Sequence, residues 1–221
     1  MTLVRIKNLS KSFFIEKKEV KALDNISLDL NTDEKTMLIG PSGCGKSSLL
    51  KTIAGLIKPD QGHVGRIKTS LVFQNPRLLP WLNVYENIEF SNKSSNILNL
   101  IQKMGLEGFE KAYPSELSIG MKARVNLARG LNFDHDYLLL DEPFASLDQI
   151  SKEKIEKEFS IGGFLFVSHD LDEVIRLGQR VLIMNKGRII ADRLLYDFDQ
   201  KSFKDYFYEI IRRDKWKRNY F

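Results

Sequence analysis

The octapeptide GPSGCGKS, residues 40–47, is the most informative stretch of this 221-residue chain. It matches the pattern G-x-x-x-x-G-K-[ST] in full, and it lies between a short apolar run at Thr36–Ile39 and a helical pattern that Gly55 closes. A strand, a glycine-rich loop and a helix N-terminus in this order turn backbone N–H groups toward phosphate oxygens. The sequence therefore predicts a nucleotide phosphate site, with Lys46 at the β- and γ-phosphates and the Ser47 hydroxyl on Mg²⁺.

A second motif, YLLLDEP at residues 137–143, is acidic and complements the phosphate loop. An apolar strand here ends in two carboxylates, and ligands bind at the carboxyl ends of strands in open α/β sheets. We expect Asp141 to hold the Mg²⁺ through water and Glu142 to act as the general base on the attacking water.

Strand and helix patterns alternate along most of the chain, which predicts a largely parallel α/β core. The turn predicted between the loop helix and the next strand is Pro59–Gly62, and Val84–Met104 has helical spacing. The predicted strands are Leu3–Lys7, Ala22–Leu30, Thr36–Ile39, Ser70–Phe73, Tyr137–Leu140 and Phe164–Val167, followed by a hairpin of Val181–Met184 and Arg188–Ala191.

The composition excludes several classes of protein. The chain carries a formal charge of +5 with acidic residues interleaved, so a dedicated nucleic-acid partner is not indicated. Cys44 is the single cysteine, which rules out an intrachain disulfide and favours a reducing compartment. It lies inside the phosphate loop, so its alkylation is expected to block nucleotide binding. No apolar run approaches the roughly 20 residues that a membrane span requires.

With both phosphate motifs in place, the chain resembles the ATP-binding cassette family, the ATPase subunits of ABC transporters, from about Leu3 to about Ile190. The resemblance implies a RecA-like P-loop NTPase core with a mostly parallel sheet, an N-terminal antiparallel β subdomain and an inserted helical subdomain. The implied single ABC ATPase domain, 1–221, has its nucleotide-binding core at 1–74 and 130–200. The helical subdomain with the signature motif occupies 75–129, and 201–221 forms a C-terminal helix or tail.

Further site residues follow from the resemblance alone. Phe13 takes the place of the aromatic that stacks on adenine, with Phe14 as the fallback. Gln74 resembles the glutamine that contacts Mg²⁺ and the attacking water, Asp148 belongs to the D-loop, and His169 contacts the γ-phosphate. The residues implied to contact nucleotide from the phosphate loop are Gly40, Pro41, Ser42, Gly43, Cys44, Gly45, Lys46, Ser47 and Ser48.

The segment LSIGM, residues 117–121, resembles the LSGGQ signature but departs from it twice. Ile119 replaces a glycine and Met121 replaces the glutamine. The resemblance implies that Ser118 and Gly120 touch the γ-phosphate held by the opposite subunit. We expect the branched side chain of Ile119 to restrict the backbone there. His63 and His135 lack a comparable setting and are predicted to be surface or turn residues.

The sequences around Gln74 and after His169 resemble importer ATPases of the nitrate, sulfonate and taurine type, with thiamine- and riboflavin-precursor systems as relatives. The implied cofactors are ATP and Mg²⁺. The implied partners are a second ATPase subunit forming a homodimer with ATP, transmembrane permease subunits and, indirectly, a substrate-binding protein. The resemblance implies a peripheral position at the cytoplasmic face of the cell membrane. It implies no nucleic-acid partner.

Two other functions remain open from the sequence. One is a non-transport ABC ATPase, although such proteins usually carry two cassettes or a long coiled coil. The other is a low-turnover, nucleotide-dependent regulatory subunit, which the changes at Ile119 and Met121 suggest and the intact Glu142 and His169 oppose. The basic C-terminal tail is read either as the end of a packed helix or as a membrane or partner contact.

Overall fold

The structure, a computed structural model, describes residues 2–93, 96–158 and 162–217. The chain divides into two compact units, one from residues 1–67 and 162–221 and the other from residues 68–161. The elements in chain order are β1 (Leu3–Ile15), β2 (Lys18–Asn31), β3 (Lys35–Ile39), α1 (Lys46–Ile53), β4 (Gln61–Val64), β5 (Thr69–Val72), α2 (Val84–Glu89), α3 (Ile97–Lys103), α4 (Ile119–Asn132), β6 (Tyr137–Asp141), α5 (Gln149–Glu158), β7 (Phe164–Val167), α6 (Leu171–Leu177), β8 (Arg180–Asn185), β9 (Arg188–Leu194) and α7 (Gln200–Lys217).

The first unit contains a three-stranded antiparallel sheet in the order β2-β1-β4. Both N-terminal strands are much longer than the sequence predicted, because Glu16 and Lys17 form a tight turn with positive φ that lets the two strands pair up to Ile15 and Lys18. The predicted turn at Pro59–Gly62 is wrong in its second half, which belongs to β4. Gly62 has φ +79 and lies against the bulged backbone of β1, an approach that a Cβ would block.

The same unit contains strands β7, β3 and β8 in parallel, with β9 antiparallel to β8. Every residue from Met37 to Ile39 is buried, as expected for a parallel strand covered on both faces. Leu38 pairs with Val167, so the loops that begin after β3 and after β7 leave the sheet at the same edge. These are the loops that carry the phosphate motif and His169.

The second unit is built on a parallel pair, β5 and β6, in which Val72 lies beside Leu140. This register brings Gln74 and Asp141 to the same edge, because Asp141 is the last residue of β6 and Gln74 lies two residues after the end of β5. Helix α4 packs against β5 and against α2 and α3. The predicted helical segment 75–129 contains α2, α3 and most of α4.

Helical spacing over Val84–Met104 predicted one continuous pattern, but the structure breaks it into α2 and α3. Polar groups at the end of α2 account for the break. The Ser91 hydroxyl donates to the Ile88 carbonyl, and Asn132 donates from its side-chain amide to the carbonyls of Ile88 and Asn92. These bonds compete with the i to i−4 bonds that would continue the helix.

Helix α7 packs on β8, β9 and α6, and its Phe203 side chain is fully buried. Asp214 accepts a hydrogen bond of 2.6 Å from the side-chain amide of Asn185 at the end of β8. Of the predicted tail, residues 218–221 lie outside the described residues. None of the helices formed by the described residues combines the length and the apolar character that crossing a membrane requires.

Gly130 allows α4 to approach β5 closely, and its replacement by alanine should destabilise the chain. A Cβ at this position would lie 2.3 Å from Cγ2 of Val72, a buried and rigid side chain. Alanine normally stabilises a helix by about 1 kcal/mol relative to glycine, whereas we expect Gly130→Ala to lose roughly 1–3 kcal/mol through overpacking. Urea unfolding measures the change, with Gly162→Ala as the control because nothing lies within 4 Å of its Cβ. A Gly130→Ala chain more stable than the parent would contradict this packing.

Candidate functional site

The phosphate loop runs from Gly40 to Gly45 between β3 and α1, as the sequence predicts. Its backbone lies directly against two other strands. A Cβ at Gly40 would lie 2.0 Å from the carbonyl oxygen of Met184, and one at Gly45 would lie 2.2 Å from that of Ala22. Both glycines also have φ in the range that other residues rarely adopt. The glycines are therefore required by close packing behind the loop, in addition to any ligand in front of it.

The turn between β8 and β9 supports this loop from behind. The Gly187 amide donates to the Cys44 carbonyl at 2.8 Å, and the Asp24 amide donates to the Gly187 carbonyl at 2.8 Å. The sequence predicts the hairpin of β8 and β9, but not the contact of its turn with the phosphate loop. No local signal marks that contact, because it depends on how β8 lies beside β3.

Lys46 is the first residue of α1, and its side chain returns over the loop. Its ammonium group donates to the carbonyls of Gly40 at 2.7 Å and Pro41 at 3.1 Å, and the residue is only 8% exposed. The helix dipole adds positive partial charge at the same end of α1, where Ser47 and Ser48 follow. A fixed cation, backbone N–H groups and a hydroxyl at one loop suit a polyphosphate.

Cys44 is almost fully buried within the loop. Burial raises the pKa of its thiol, although the nearby Lys46 ammonium opposes this by favouring the thiolate. The thiol thus behaves as a small apolar group under the loop.

His169 is exposed and lies two residues after the end of β7. The residues around it are firmly held. The Ser168 hydroxyl donates to the buried carboxylate of Glu173, and the Asp170 side chain accepts from the amides at the start of α6. The parallel β3–β7 register brings His169 to the sheet edge where the phosphate loop begins, whereas its contact with the γ-phosphate stays a prediction. His63 is exposed on β4 and His135 lies in a loop, as predicted.

Phe13 lies half-buried on β1, and the Lys11 ammonium is 5.6 Å from the centroid of its ring. Phe14 points to the other side of the strand and is 78% exposed. Lys11 is itself held by Asp60 at 2.6 Å. The ring of Phe13 therefore has a defined position on the sheet, whereas its stacking on adenine stays a prediction.

In the second unit, the structure brings Gln74 and Glu142 together. The Gln74 side-chain amide donates to Oε2 of Glu142 at 3.0 Å. Glu142 adopts φ +48, a left-handed conformation that is uncommon for a residue with a side chain. Such strain costs on the order of 1 kcal/mol and persists where the surrounding structure imposes it, most often at functional sites. Asp141, the last residue of β6, is buried beside it.

Ser118 caps helix α4, with its hydroxyl oxygen accepting from the Met121 amide at 3.2 Å. Ile119 is the first helical residue and its side chain is 71% exposed. Its φ is not in the left-handed region that favours glycine, so the expected restriction by the branched side chain has no consequence here. A Cβ at Gly120 would lie 3.3 Å from the Ser146 carbonyl oxygen, so the signature segment lies beside Ser146, two residues before Asp148 of the D-loop.

Asp148 lies exposed at the start of α5. Its Oδ1 accepts from the Ser151 amide at 2.9 Å, and hydrogen bonds from Ser151 lower the pKa of the Asp148 carboxyl. It also acts electrostatically on Arg124, where it opposes the lowering of the guanidinium pKa by burial. Asp148 therefore remains ionised at the tip of this loop.

The predicted Mg²⁺ ligands are a hydroxyl, an amide and a carboxylate, namely Ser47, Gln74 and Asp141. Hard oxygen donors of these types are the ones that Mg²⁺ takes in proteins, usually with water and phosphate completing the shell. The donor set therefore fits the ion. Within the described residues no group of three or more His, Cys, Asp or Glu side chains forms a metal site.

Asn87 is a further structural residue that the sequence analysis missed. It is fully buried, and its side chain bonds to backbone groups of Leu79, Leu82 and Asn83 in the loop after Gln74. A buried asparagine in a helical pattern carries no sequence signal of its partners, because they lie in an irregular loop.

The buried Cys44 thiol should react slowly with alkylating reagents. Because its pKa is raised, less thiolate is present at pH 8 than for an ordinary cysteine of pKa about 8.5. We expect labelling by iodoacetamide to be slow at pH 8, to accelerate only at higher pH and to become fast in urea. Cys44→Ser removes all labelling and serves as the control. Equal rates for the folded and the urea-unfolded chain at pH 8 would contradict a buried thiol.

Comparison with known proteins agrees with this geometry. The family model described as ABC transporter matches residues 23–145. The aliphatic sulfonates import ATP-binding protein SsuB 2 of Pseudomonas syringae is 44% identical over 174 residues, which cover 73% of this chain and 75% of that protein. SsuB of Bacillus cereus is 38% identical over 90% of both chains. A dimeric ATP-binding cassette solved in a post-hydrolysis state with ADP and Pi has a TM-score of 0.79 at 28% identity, covering 87% of this chain and 98% of the other. The chain belongs to the ABC transporter family.

Proposed function

We propose that this chain is the ATP-binding and ATP-hydrolysing subunit that powers import of a small solute through a partner permease. The observation that carries the proposal is the phosphate loop, where Lys46 is held over the loop carbonyls at the start of α1. A loop so tightly backed by β2 and β8 can be preorganised for phosphates, which lowers the ordering cost of binding.

Nucleotide binding is assigned to residues of the first unit. Backbone N–H groups between residues 40 and 48, other than Pro41, which has none, bind the phosphates together with the Lys46 ammonium. The Ser47 hydroxyl would ligate Mg²⁺, and the ring of Phe13 stacks on adenine. The Mg²⁺ supplies charge neutralisation of the phosphates when it is bound.

Hydrolysis is assigned to Glu142 as the general base, with Gln74 and His169 orienting the water and Asp141 on the metal. The 3.0 Å bond from Gln74 supports this assignment, because it fixes the orientation of the Glu142 carboxylate. A carboxylate can accept several hydrogen bonds, so this bond is compatible with a water bound to the same group.

We propose that two chains dimerise with ATP and that Ser118, Gly120 and Asp148 contact the nucleotide held by the partner. The Ser118 hydroxyl supports this, because its oxygen accepts from Met121 while its O–H can still donate to a phosphate oxygen. Ile119 and Met121 lie close to Ser118 in the sequence. We therefore expect any effect of these two residues on ATP turnover to arise at the dimer contact.

The permease partner implies a peripheral position at the cytoplasmic face of the membrane, with residues 75–129 as the helical subdomain that docks on it. A substrate-binding protein is the indirect partner, and no nucleic acid is involved. The relatives named for aliphatic sulfonate import favour a sulfonate, such as taurine, or a similar small oxyanion, such as nitrate, as the solute.

Glu142→Gln should abolish turnover while leaving nucleotide binding intact. The substitution keeps the size of the side chain but removes its basicity, so we expect ATPase activity to fall by at least about 100-fold and an ATP-bound dimer to accumulate. Phosphate release and size-exclusion chromatography with ATP measure the two effects. Glu110→Gln, on a carboxylate of the same unit outside the site, is the control. Wild-type turnover in Glu142→Gln would refute the assignment of the base.

The proposed solute is tested with the chain reconstituted in vesicles with its permease and binding protein. We expect an alkanesulfonate or taurine to stimulate ATP hydrolysis, because solute-loaded binding protein favours the closed ATPase dimer. A thiamine-type pyrimidine should have no effect. Stimulation by the pyrimidine alone would overturn the sulfonate assignment but not the ATPase function.

A further inference from the structure

Asn126 forms a buried contact that the proposed mechanism has not used. This residue lies in α4, the helix that begins after Ser118, and it is 3% exposed. Its side-chain amide donates to the carbonyl of Phe73 at 2.9 Å. Phe73 directly precedes Gln74, so the bond holds the backbone unit from which the glutamine extends.

The other side of the Asn126 amide is also fixed. Its Oδ1 accepts from Nη2 of Arg129 at 3.1 Å, one turn further along the helix. Burial lowers the pKa of the Arg129 guanidinium, because it removes water from the charged group. The Asn126 oxygen replaces one of the hydrogen bonds that water would otherwise provide. An asparagine bonded at both ends cannot rotate or exchange its partners without leaving a buried polar group unsatisfied.

The contact is part of a continuous seam between α4 and β5. Gly130 lies one turn after Asn126 on the same helix face, and its carbonyl accepts from the Ser70 hydroxyl at 2.7 Å. The missing side chain of Gly130 lets the helix press against Val72. Helix and strand are therefore joined at three successive points, and the last lies next to Gln74.

We propose that Asn126 is a positioning residue for hydrolysis, because it ties helix α4 to Gln74, the glutamine that orients Glu142. The connected groups are the Asn126 amide, the Phe73 carbonyl, the Gln74 amide and the Glu142 carboxylate, with distances of 2.9 Å and 3.0 Å at the two hydrogen bonds. A displacement of α4 along its axis pulls on the Phe73 carbonyl and moves Gln74. The inference rests on the proposed ATPase function and on the role of Gln74 in it.

Asn126→Asp tests the contact at constant size. The carboxylate still accepts from Arg129, but it has no proton to donate and repels the Phe73 carbonyl. We expect kcat to fall by roughly fivefold to tenfold, the value of one lost hydrogen bond, with little change in the affinity for ATP. Asn126→Leu, which lacks the added charge, should lower kcat in the same way and covers the case in which the aspartate variant fails to fold.

Asn132→Asp is the matched control. Asn132 is also a buried asparagine of α4, but its side-chain amide donates to the carbonyls of Ile88 and Asn92, remote in sequence from Gln74. We expect a comparable loss of stability with kcat close to wild type. A double-mutant cycle with Gln74→Ala then separates positioning from general damage, because Asn126→Leu should cause little further loss of kcat once Gln74 is absent.

Hydrogen–deuterium exchange provides a readout that does not depend on catalysis. Asn126→Leu should speed exchange in residues 73–76, and Asn132→Asp should speed it in residues 88–93. Unchanged exchange at 73–76, or a kcat loss that adds fully to that of Gln74→Ala, overturns the positioning role. A wild-type chain that exchanges as expected but never hydrolyses ATP with its permease would instead refute the proposed function and leave the contact itself established.

Discussion

The close backbone packing behind the phosphate loop is the constraint on which the first unit depends. Carbonyl oxygens of Met184 and Ala22 occupy the space where side chains of Gly40 and Gly45 would lie. Side chains at these two positions would therefore push the loop away from β8 and β2, and the hydrogen bond from the Gly187 amide holds the loop at Cys44. With its back supported in this way, the loop presents the Lys46 ammonium and the start of α1 in a defined arrangement. Preorganised donors of this kind bind phosphate without reorganising the protein.

In the second unit, the surrounding structure also holds functional groups in a defined arrangement, here at the end of a strand. Asp141 closes β6 inside the core, and the chain then turns through a strained residue, Glu142. Parallel pairing of β5 with β6 brings Gln74 to the same edge, where its amide holds the Glu142 carboxylate. A base whose carboxylate accepts a hydrogen bond from a neighbouring side chain keeps a defined orientation. This suits a group that has to position water and take its proton.

Helix α4 links the signature segment at its start to the strand end that carries Gln74. Ile119 and Met121 depart from the family pattern, yet Ser118 still caps the helix and Ile119 fits the helical backbone. The interior face of the helix carries Asn126 and Gly130, which fasten it to β5. These contacts lie further along the helix, and neither of them involves Ile119 or Met121.

The sequence alone determined the parallel α/β pattern, the phosphate loop with Lys46, the acidic strand end at Asp141 and Glu142, and the family. These features are local, since strand, loop and helix follow one another within a few residues and their residue types carry the chemistry. It also identified the β8–β9 hairpin and the position of His169 after β7.

The sequence could not determine β4 or the length of β1 and β2, because these depend on strand pairing. It also could not determine the break between α2 and α3, because the hydrogen-bond partners of Ser91 and Asn132 lie far along the chain. Only the tertiary structure decided that Glu142 is strained, that Cys44 is buried and that Asn126 reaches Phe73. The physical reason is the same in each case: a side chain's burial and its hydrogen-bond partners are set by elements that fold against it, and its neighbours in sequence do not encode them.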